Sequence, residues 1–158
     1  AAATKSSEHY FIEEYIEGRE FNISMLAGSG GAEVLPLAEM QFLDFPADKP
    51  RILGFRSKWE EDSFEYTHTT RSFDAGEEDR LLHLRMMELC EACWKGFGLI
   101  GYARIDFRVT EKGDPMIIDI NANPCLSESG GFAAALKQAG YSFKEAVRRI
   151  LEDAGFER

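Results

Sequence analysis

Arg104, Asp106, Asp119 and Asn121 are the residues whose types and spacing best suit chemistry in this chain. Residues 103–109 alternate, with Ile105, Phe107 and Val109 on one face and Arg104, Asp106 and Arg108 on the other. Residues 116–121 form a second predicted strand, in which Ile117, Asp119 and Asn121 share a face. Between them, residues 110–115 read Thr-Glu-Lys-Gly-Asp-Pro, the composition of a turn. A hairpin closing symmetrically about Lys112-Gly113 pairs Val109 with Met116, Asp106 with Asp119 and Arg104 with Asn121. Opposed residues then point the same way, with Cβ atoms roughly 5 Å apart. Two facing carboxylates repel unless a cation sits between them. Asp106, Asp119 and the Asn121 amide oxygen are hard donors that suit Mg²⁺, which commonly bridges carboxylates to phosphates. Arg104 beside them can grip a carboxylate or phosphate with two hydrogen bonds. The plain alternative is a solvent-facing sheet edge whose charges are merely hydrated.

The elements that would position these groups follow from the rest of the chain. Residues 9–16 carry aromatic and branched side chains and predict a strand ending at Glu17-Gly18. Residues 20–27 alternate, with Phe21, Ile23 and Met25 opposite Asn22 and Ser24. Gly28-Ser-Gly-Gly31 lacks both the lysine and the following helix of a phosphate loop, so it predicts a hairpin turn, with residues 32–42 returning as one strand. Pro36 in that strand fits an edge or a bulge.

Residues 77–95 predict the clearest helix, with Leu82, Met86, Leu89 and Cys93 on one stripe widened by Leu81 and Cys90. Cys90 and Cys93 therefore belong to a core face, since zinc or redox chemistry would need further partners. Residues 132–139 predict a helix entered from a small-residue loop, whose amides suit an anion. The last helix opens with a capping box, Ser142 and Glu145, and is predicted to bury Phe143, Val147, Ile150 and Leu151.

Composition limits the function. The chain has 158 residues, 44% hydrophobic and 29% charged, enough for one domain with a real core. A formal net charge of −10 argues against general nucleic-acid binding. No apolar run approaches a membrane span or a signal peptide's core. Three cysteines do not make a disulfide framework, and cytoplasmic free thiols are the expectation. His9, His68 and His83 are scattered singly. Residues 1–8 are small and polar, a disordered or appended start, and residues 9–158 are taken as the domain.

Arg104-Ile-Asp106 followed by Asp119-Ile-Asn121-Ala-Asn-Pro124 resembles the metal-binding end of ATP-grasp ligases, specifically the D-alanine–D-alanine ligase family. Glu13-Glu-Tyr-Ile-Glu-Gly-Arg-Glu20-Phe21 and Val34-Leu-Pro-Leu-Ala-Glu39 agree in order and spacing, so the likeness runs from about Phe11 to the C-terminus. It implies an α+β fold, the C-terminal half of an ATP-grasp, with a mostly antiparallel sheet and helices packed on one side. It also implies ATP-dependent carboxylate–amine ligation through an acyl phosphate.

By resemblance, Asp106, Asp119 and Asn121 hold Mg²⁺ (or Mn²⁺) against ATP. Arg104 stabilises the transferring phosphoryl group, and Lys58 stands at the start of a mobile loop closing over the site. Glu13, Glu14, Ile16 and Glu20 meet adenine and ribose. Cys125, Leu126, Ser129 and Gly130 form the loop that holds the second substrate. Taken alone, Glu13, Glu14, Glu17 and Glu20 also fit an ordinary solvated acidic face, and Lys58 a surface lysine lying over Trp59.

The implied partners are small amino-acid or peptide substrates, the N-terminal part of the same enzyme with its phosphate-gripping lysines, and a second subunit in a homodimer. No nucleic acid and no membrane is implied. The chain departs from the family pattern in three places. Asp119 replaces glutamate, Cys125 replaces a glycine, and Gly130 falls where the serine for the second substrate's carboxylate is usual, with Ser129 one position early. These departures bear on the number of metal ions and on the identity of the second substrate. A ligase for other amino acids or peptides, or a non-catalytic regulatory domain on the same scaffold, remain the alternatives.

Overall fold

The structure is a computed structural model that describes residues 12–74 and 76–156. Its centre is an antiparallel sheet built on β1 (Arg19–Gly28). Around it lie β2 (Gly31–Val34), β3 (Ala38–Phe42), β4 (Thr69–Ser72), β5 (Tyr102–Val109) and β6 (Pro115–Asn121). The order is β4-β3-β1-β5-β6, with β2 pairing β1 as a hairpin at its C-terminal end. Residues of β1 and β5 with the same parity project together, so Phe21 stands opposite Phe107 and Ile23 opposite Ile105.

α3 (Arg80–Gly96) covers that apolar face. Met86, Cys90 and Cys93 pack with Phe21, Ile23, Met25, Ile105 and Phe107 into one core. Each large side chain buried there contributes roughly 1.5–3 kcal/mol of transfer free energy. Leu82 and Leu89 flank the cluster as predicted, but Leu81 is 80% exposed, one position around the helix from the stripe.

A second cluster forms at the Leu26 end of β1. There Leu26 and Leu35 meet Phe132, Ala135, Leu136 and Ala146 from α4 (Gly131–Gln138) and α5 (Phe143–Asp153). The Ser142 hydroxyl accepts from the Glu145 amide at 3.2 Å, so the predicted cap is present. Phe143 and Leu151 are about half exposed instead of buried, Val147 is partly buried, and Ala146 with Ile150 packs into this cluster. Phe143 is the first residue of the helix, a full turn before the buried stripe.

Three other expectations change. Residues 12–17 are irregular and mostly exposed and pair with no strand among the described residues, and residues 9–11 lie outside those residues. The predicted 32–42 strand is two strands, because Pro36 cannot donate and the chain turns at Leu35-Pro36-Leu37 from β2 to β3. The segment expected as a mobile loop holds α1 (Phe55–Trp59), α2 (Phe64–Thr67) and β4. It is held down by Phe45 against Phe64 at 5.3 Å, Phe64 stacked on His68 at 4.0 Å, and a Lys49–Glu65 ion pair at 2.8 Å. The expected start at residues 1–8 lies outside the described residues.

Candidate functional site

The opposite face of the sheet is polar. One row across three strands reads Asn22, Asp106, Asp119, and the next reads Ser24, Arg104, Asn121. Glu20 and Arg108 form a third row on the same face. Asp106 therefore faces Asp119 and Arg104 faces Asn121, as the sequence predicts, but Val109 pairs with Pro115 instead of Met116. A bulge explains both. Phe107 pairs with Ile117 and Asp106 with Asp119, so Ile118 is the extra residue of β6. Without it the turn-side register would carry on and move Asp119 away from Asp106. The bulge also means that Ile117 and Asp119, two apart, do not share a face: one stands opposite apolar Phe107 and the other opposite Asp106.

Arg104 is the cation that two facing carboxylates require. Its Nε donates to Asp106 Oδ1 at 2.7 Å and its Nη2 to Asp106 Oδ2 at 2.8 Å, a bidentate pair with both side chains mostly buried. Burial opposes the charge on Arg104, but the Asp106 hydrogen bonds and the charges of Asp106, Asp119 and Glu20 raise its basicity overall. The Asn121 side-chain Oδ1 accepts the Asn123 backbone amide at 2.9 Å, fixing the turn that leads out of β6. Beside Asp106, the buried Nδ2 of Asn22 has no hydrogen-bond partner. A buried donor without an acceptor is costly, and a ligand oxygen at this spot would satisfy it.

Glu20 is 4% exposed. Burial pushes its carboxyl above the usual carboxylate range, against the pull of Arg108 at 3.8 Å and a long hydrogen bond from the Leu53 amide. Arg108, 3% exposed, pins the segment before β1. It donates to the Gly18 carbonyl at 2.9 Å and to the Arg51 carbonyl, and lies over the Tyr15 ring at 5.2 Å. Gly18 is obligatory there: its φ is +141°, and a Cβ would stand 1.9 Å from the Val109 carbonyl oxygen.

The structure brings together Arg104, Asp106, Asp119, Asn121 and Glu20, and places the exposed Lys58 on α1, where its charge reaches Glu20. Glu13 and Glu14 are exposed on the irregular segment, and Ile16 is half-buried. In the loop before α4, the Cys125 thiol meets the Ser127 hydroxyl at 3.2 Å, and hydrogen bonds from Ser127 lower its pKa. Ser129 lies 3.5 Å from the same hydroxyl, and Leu126 leans on the second core cluster. Gly130 closes this loop, its amide donating to Ser127 at 2.9 Å, and a Cβ there would press on the Cys125 and Ser127 carbonyl oxygens at 3.0 Å. The loop is thus shaped around the absence of a side chain at position 130. Sequence reasoning missed Asn22, Arg71 and Arg108. Their polar types at alternating strand positions were the available signal, but the strands beside them are far away in sequence.

Among the described residues, no three acidic, histidine or cysteine side chains cluster closely enough to form a metal site by themselves. The donor set nevertheless suits a divalent cation. Asp119 is exposed and uncommitted, and a carboxylate and an amide oxygen each keep free lone pairs beyond the bonds described.

A mostly antiparallel sheet with an arginine–carboxylate–amide row on one face and a long helix on the other defines the C-terminal half of the ATP-grasp class. Comparison with known proteins agrees. The family described as "D-ala D-ala ligase C-terminus" matches residues 1–152, and this chain belongs to it. An uncharacterized protein, y4sG, of Sinorhizobium fredii is 29% identical over 96% of this chain and 42% of its own length. The D-alanine--D-alanine ligase of Aquifex aeolicus is 27% identical over 93% of this chain and 44% of that enzyme. The crystal structure of a D-alanine--D-alanine ligase from Bacillus anthracis complexed with ATP superposes with a TM-score of 0.64 at 21% identity, over 90% of this chain and 40% of that one. The chain thus spans less than half the length of the proteins it matches. No helix among the described residues is long and apolar enough to cross a membrane.

Proposed function

We propose that the protein carrying this chain is an ATP-dependent carboxylate–amine ligase, in which this chain supplies the Mg²⁺- and phosphate-facing sheet. The observation that carries this is the Asn22–Asp106–Asp119 row with Arg104 locked beside it, on the polar face of a sheet of this family. In such a reaction a substrate carboxylate oxygen attacks the γ-phosphorus of ATP, giving an acyl phosphate and ADP. An amine nitrogen then attacks the acyl carbon, the C–O bond to phosphate breaks, and the nitrogen loses a proton. Bound Mg²⁺ would neutralise the phosphate oxygens, with Asp106, Asp119 and Asn121 as its ligands.

Arg104, held by Asp106, presents a fixed positive charge where negative charge develops on the transferring group. Asn22 Nδ2 supplies a neutral donor to the same region. Glu20, half-shielded by Arg108, faces the ribose side, and Glu13, Glu14 and Ile16 line the approach of the adenine. Lys58, exposed on α1, supplies positive charge to the phosphates. Cys125, Leu126, Ser129 and Gly130 border the second substrate. Homologous ligases point to D-alanine as the first substrate to try, in a cytoplasmic enzyme completed by a phosphate-gripping N-terminal part and able to form a homodimer.

The test is phosphate release by the full-length protein with ATP, Mg²⁺ and pairs of amino acids, alongside thermal unfolding against Mg²⁺ at fixed ionic strength. Amino-acid-dependent phosphate release is expected, with Asp106→Asn abolishing both the release and most of the Mg²⁺ response. Asp114→Asn, in the exposed turn of the same hairpin, is expected to leave both unchanged. An identical Mg²⁺ response in wild type and Asp106→Asn, or no nucleotide turnover with any amino acid, overturns the assignment.

A further inference from the structure

Four of the arginines that are at least partly buried have an acidic partner: Arg19 with Glu39 and Asp79, Arg104 with Asp106, Arg108 with Glu20, and Arg149 with Glu33. The fifth, Arg71, is half-buried and has neither an ion pair nor a side-chain hydrogen bond among the described residues. It stands on β4 opposite Met40 of β3, which stands opposite Glu20 of β1, so it rises from the polar face of the sheet. Burial lowers its basicity, and so does the charge of Arg104, the one charged neighbour that bears on it among the described residues. Two guanidiniums therefore share one face, and only Arg104 has a carboxylate. Such a pair is costly unless an anion joins it.

The direction of the Arg71 side chain follows from its contacts. Leu26 has the same parity in β1 as Asn22 and Ser24, so α4, which packs on Leu26, closes the Leu26 end of the polar face. One Nη of Arg71 lies 3.9 Å from where a Cβ on Gly131, the first residue of α4, would stand. The guanidinium is thus laid away from its own Glu20 row and toward the Ser24–Arg104 row. Asn22 lies between these rows. It is 8% exposed, and its buried Nδ2 has no hydrogen-bond partner. Arg104 commits Nε and Nη2 to Asp106, which leaves Nη1 without a hydrogen bond among the described residues. Unfilled donors from β4, β1 and β5 therefore surround one patch of the face. Their arrangement selects the ligand. A carboxylate is planar, and a single guanidinium fork satisfies both of its oxygens. A phosphoryl group points three non-bridging oxygens in different directions, so that separate donors each take one.

We propose that Arg71 is a second catalytic arginine, which holds the transferring phosphoryl group from the side opposite Arg104 with the Asn22 amide beneath. This rests on the ligase function proposed above and deepens it: two arginines of this chain bracket the phosphoryl group, one neutralised by Asp106 and one not. As the substrate carboxylate oxygen attacks the γ-phosphorus, the bond to the bridging oxygen breaks and ADP leaves with that electron pair. Negative charge stays on the three non-bridging oxygens, and neither arginine gives up a proton. Arg71, with no carboxylate to share its charge, responds most to that group. Lysine in its place would keep the charge without the fork.

The experiment records the arginine Nε–Hε resonances of the full-length protein in ¹⁵N NMR. The Arg71 and Arg104 signals are assigned by their loss in Arg71→Lys and Arg104→Lys. The probes, at fixed ionic strength, are inorganic phosphate and, as the planar control, acetate. Phosphate is expected to move both signals along one saturation curve, and acetate to leave Arg71 at rest. Arg71→Gln should weaken phosphate binding read at Arg104 by about tenfold. In turnover, Arg71→Ala should lower kcat by about a hundredfold while the KM for ATP changes by less than about threefold, and added guanidinium ion should restore part of the rate. An Arg71 signal that ignores phosphate, follows acetate as closely, or titrates apart from Arg104 overturns the proposal, as does an unchanged kcat in Arg71→Ala. Those results leave the ligase function standing wherever the wild type releases phosphate with amino acids. A wild type without turnover whose two signals still move together on phosphate sinks the ligase function and leaves the two-arginine anion site. The wild-type titration stands even where a variant folds poorly.

Discussion

The two faces of the central sheet share the same strands and obey opposite rules. Under α3, Phe21, Ile23, Ile105 and Phe107 are 0–1% exposed and pack with Met25, Met86, Cys90 and Cys93 into one apolar cluster. Directly through the sheet, Glu20, Asn22, Asp106 and Arg108 are 3–8% exposed, nearly as buried, yet charged or polar. The first face gains free energy from each residue it hides. The second gives some of it back, holding a raised carboxyl on Glu20, and an amide on Asn22 and a guanidinium on Arg71 that have no partner among the described residues. The apolar face makes the molecule rigid enough to tolerate the polar one.

The strongest test of this contrast is Phe107→Ala, one residue from Asp106 but on the other face. It should cost about 3–5 kcal/mol in chemical unfolding, with the secondary structure of the residual fold unchanged by circular dichroism. A cost below about 1 kcal/mol would mean that α3 is not the rigid support.

Thiol labelling compares the two sides without mutation. Burial pushes the Cys90 thiol up to about 12, and Cys93 is raised for the same reason, whereas Cys125 is exposed and lowered by Ser127. At neutral pH one thiol should react quickly and two slowly, by about a hundredfold or more. Three equal rates would remove the cysteines from the core.

Asp106→Asn, without metal, should destabilise the fold by about 1–3 kcal/mol, since it strips Arg104 of its ionic partner. Relief of repulsion between Asp106 and Asp119 alone would predict the reverse sign. Arg104 decides it, and denaturant midpoints measure it.

The smallest effect is a pH dependence at Glu20. Its folded pKa lies above the unfolded value, so its contribution is favourable at low pH and is lost as pH rises through the folded pKa. Glu20→Gln should therefore raise the melting temperature by a few degrees at pH 7 and by nothing below about pH 4, in paired melts at the two pH values. A variant less stable than wild type at pH 7 would show that Arg108 outweighs burial.

Much of this contrast is legible in the order of the residues. Alternation in residues 20–27 and 103–109 assigns opposite faces to Phe21 and Asn22, and to Phe107 and Asp106, because side chains in a strand alternate whatever surrounds them. The turn chemistry of residues 110–115 and the Leu82–Met86–Leu89–Cys93 stripe are equally local, as is the Ser142 cap. The opposition of Asp106 and Asp119 is also legible, though the symmetric register behind it holds only beyond the bulge.

Tertiary structure alone decided the rest. The extra residue at Ile118 is invisible in sequence, since it depends on how β6 must lie against β5 to keep Asp119 on the polar face while Ile117 pairs with Phe107. The exposure of Leu81 and Phe143 depends on where α3 and α5 dock, which helical periodicity cannot say to within one residue. Arg71, Asn22 and Arg108 became meaningful only when strands far apart in sequence were laid side by side. A charge's value is set by what surrounds it, and only the fold determines the surroundings.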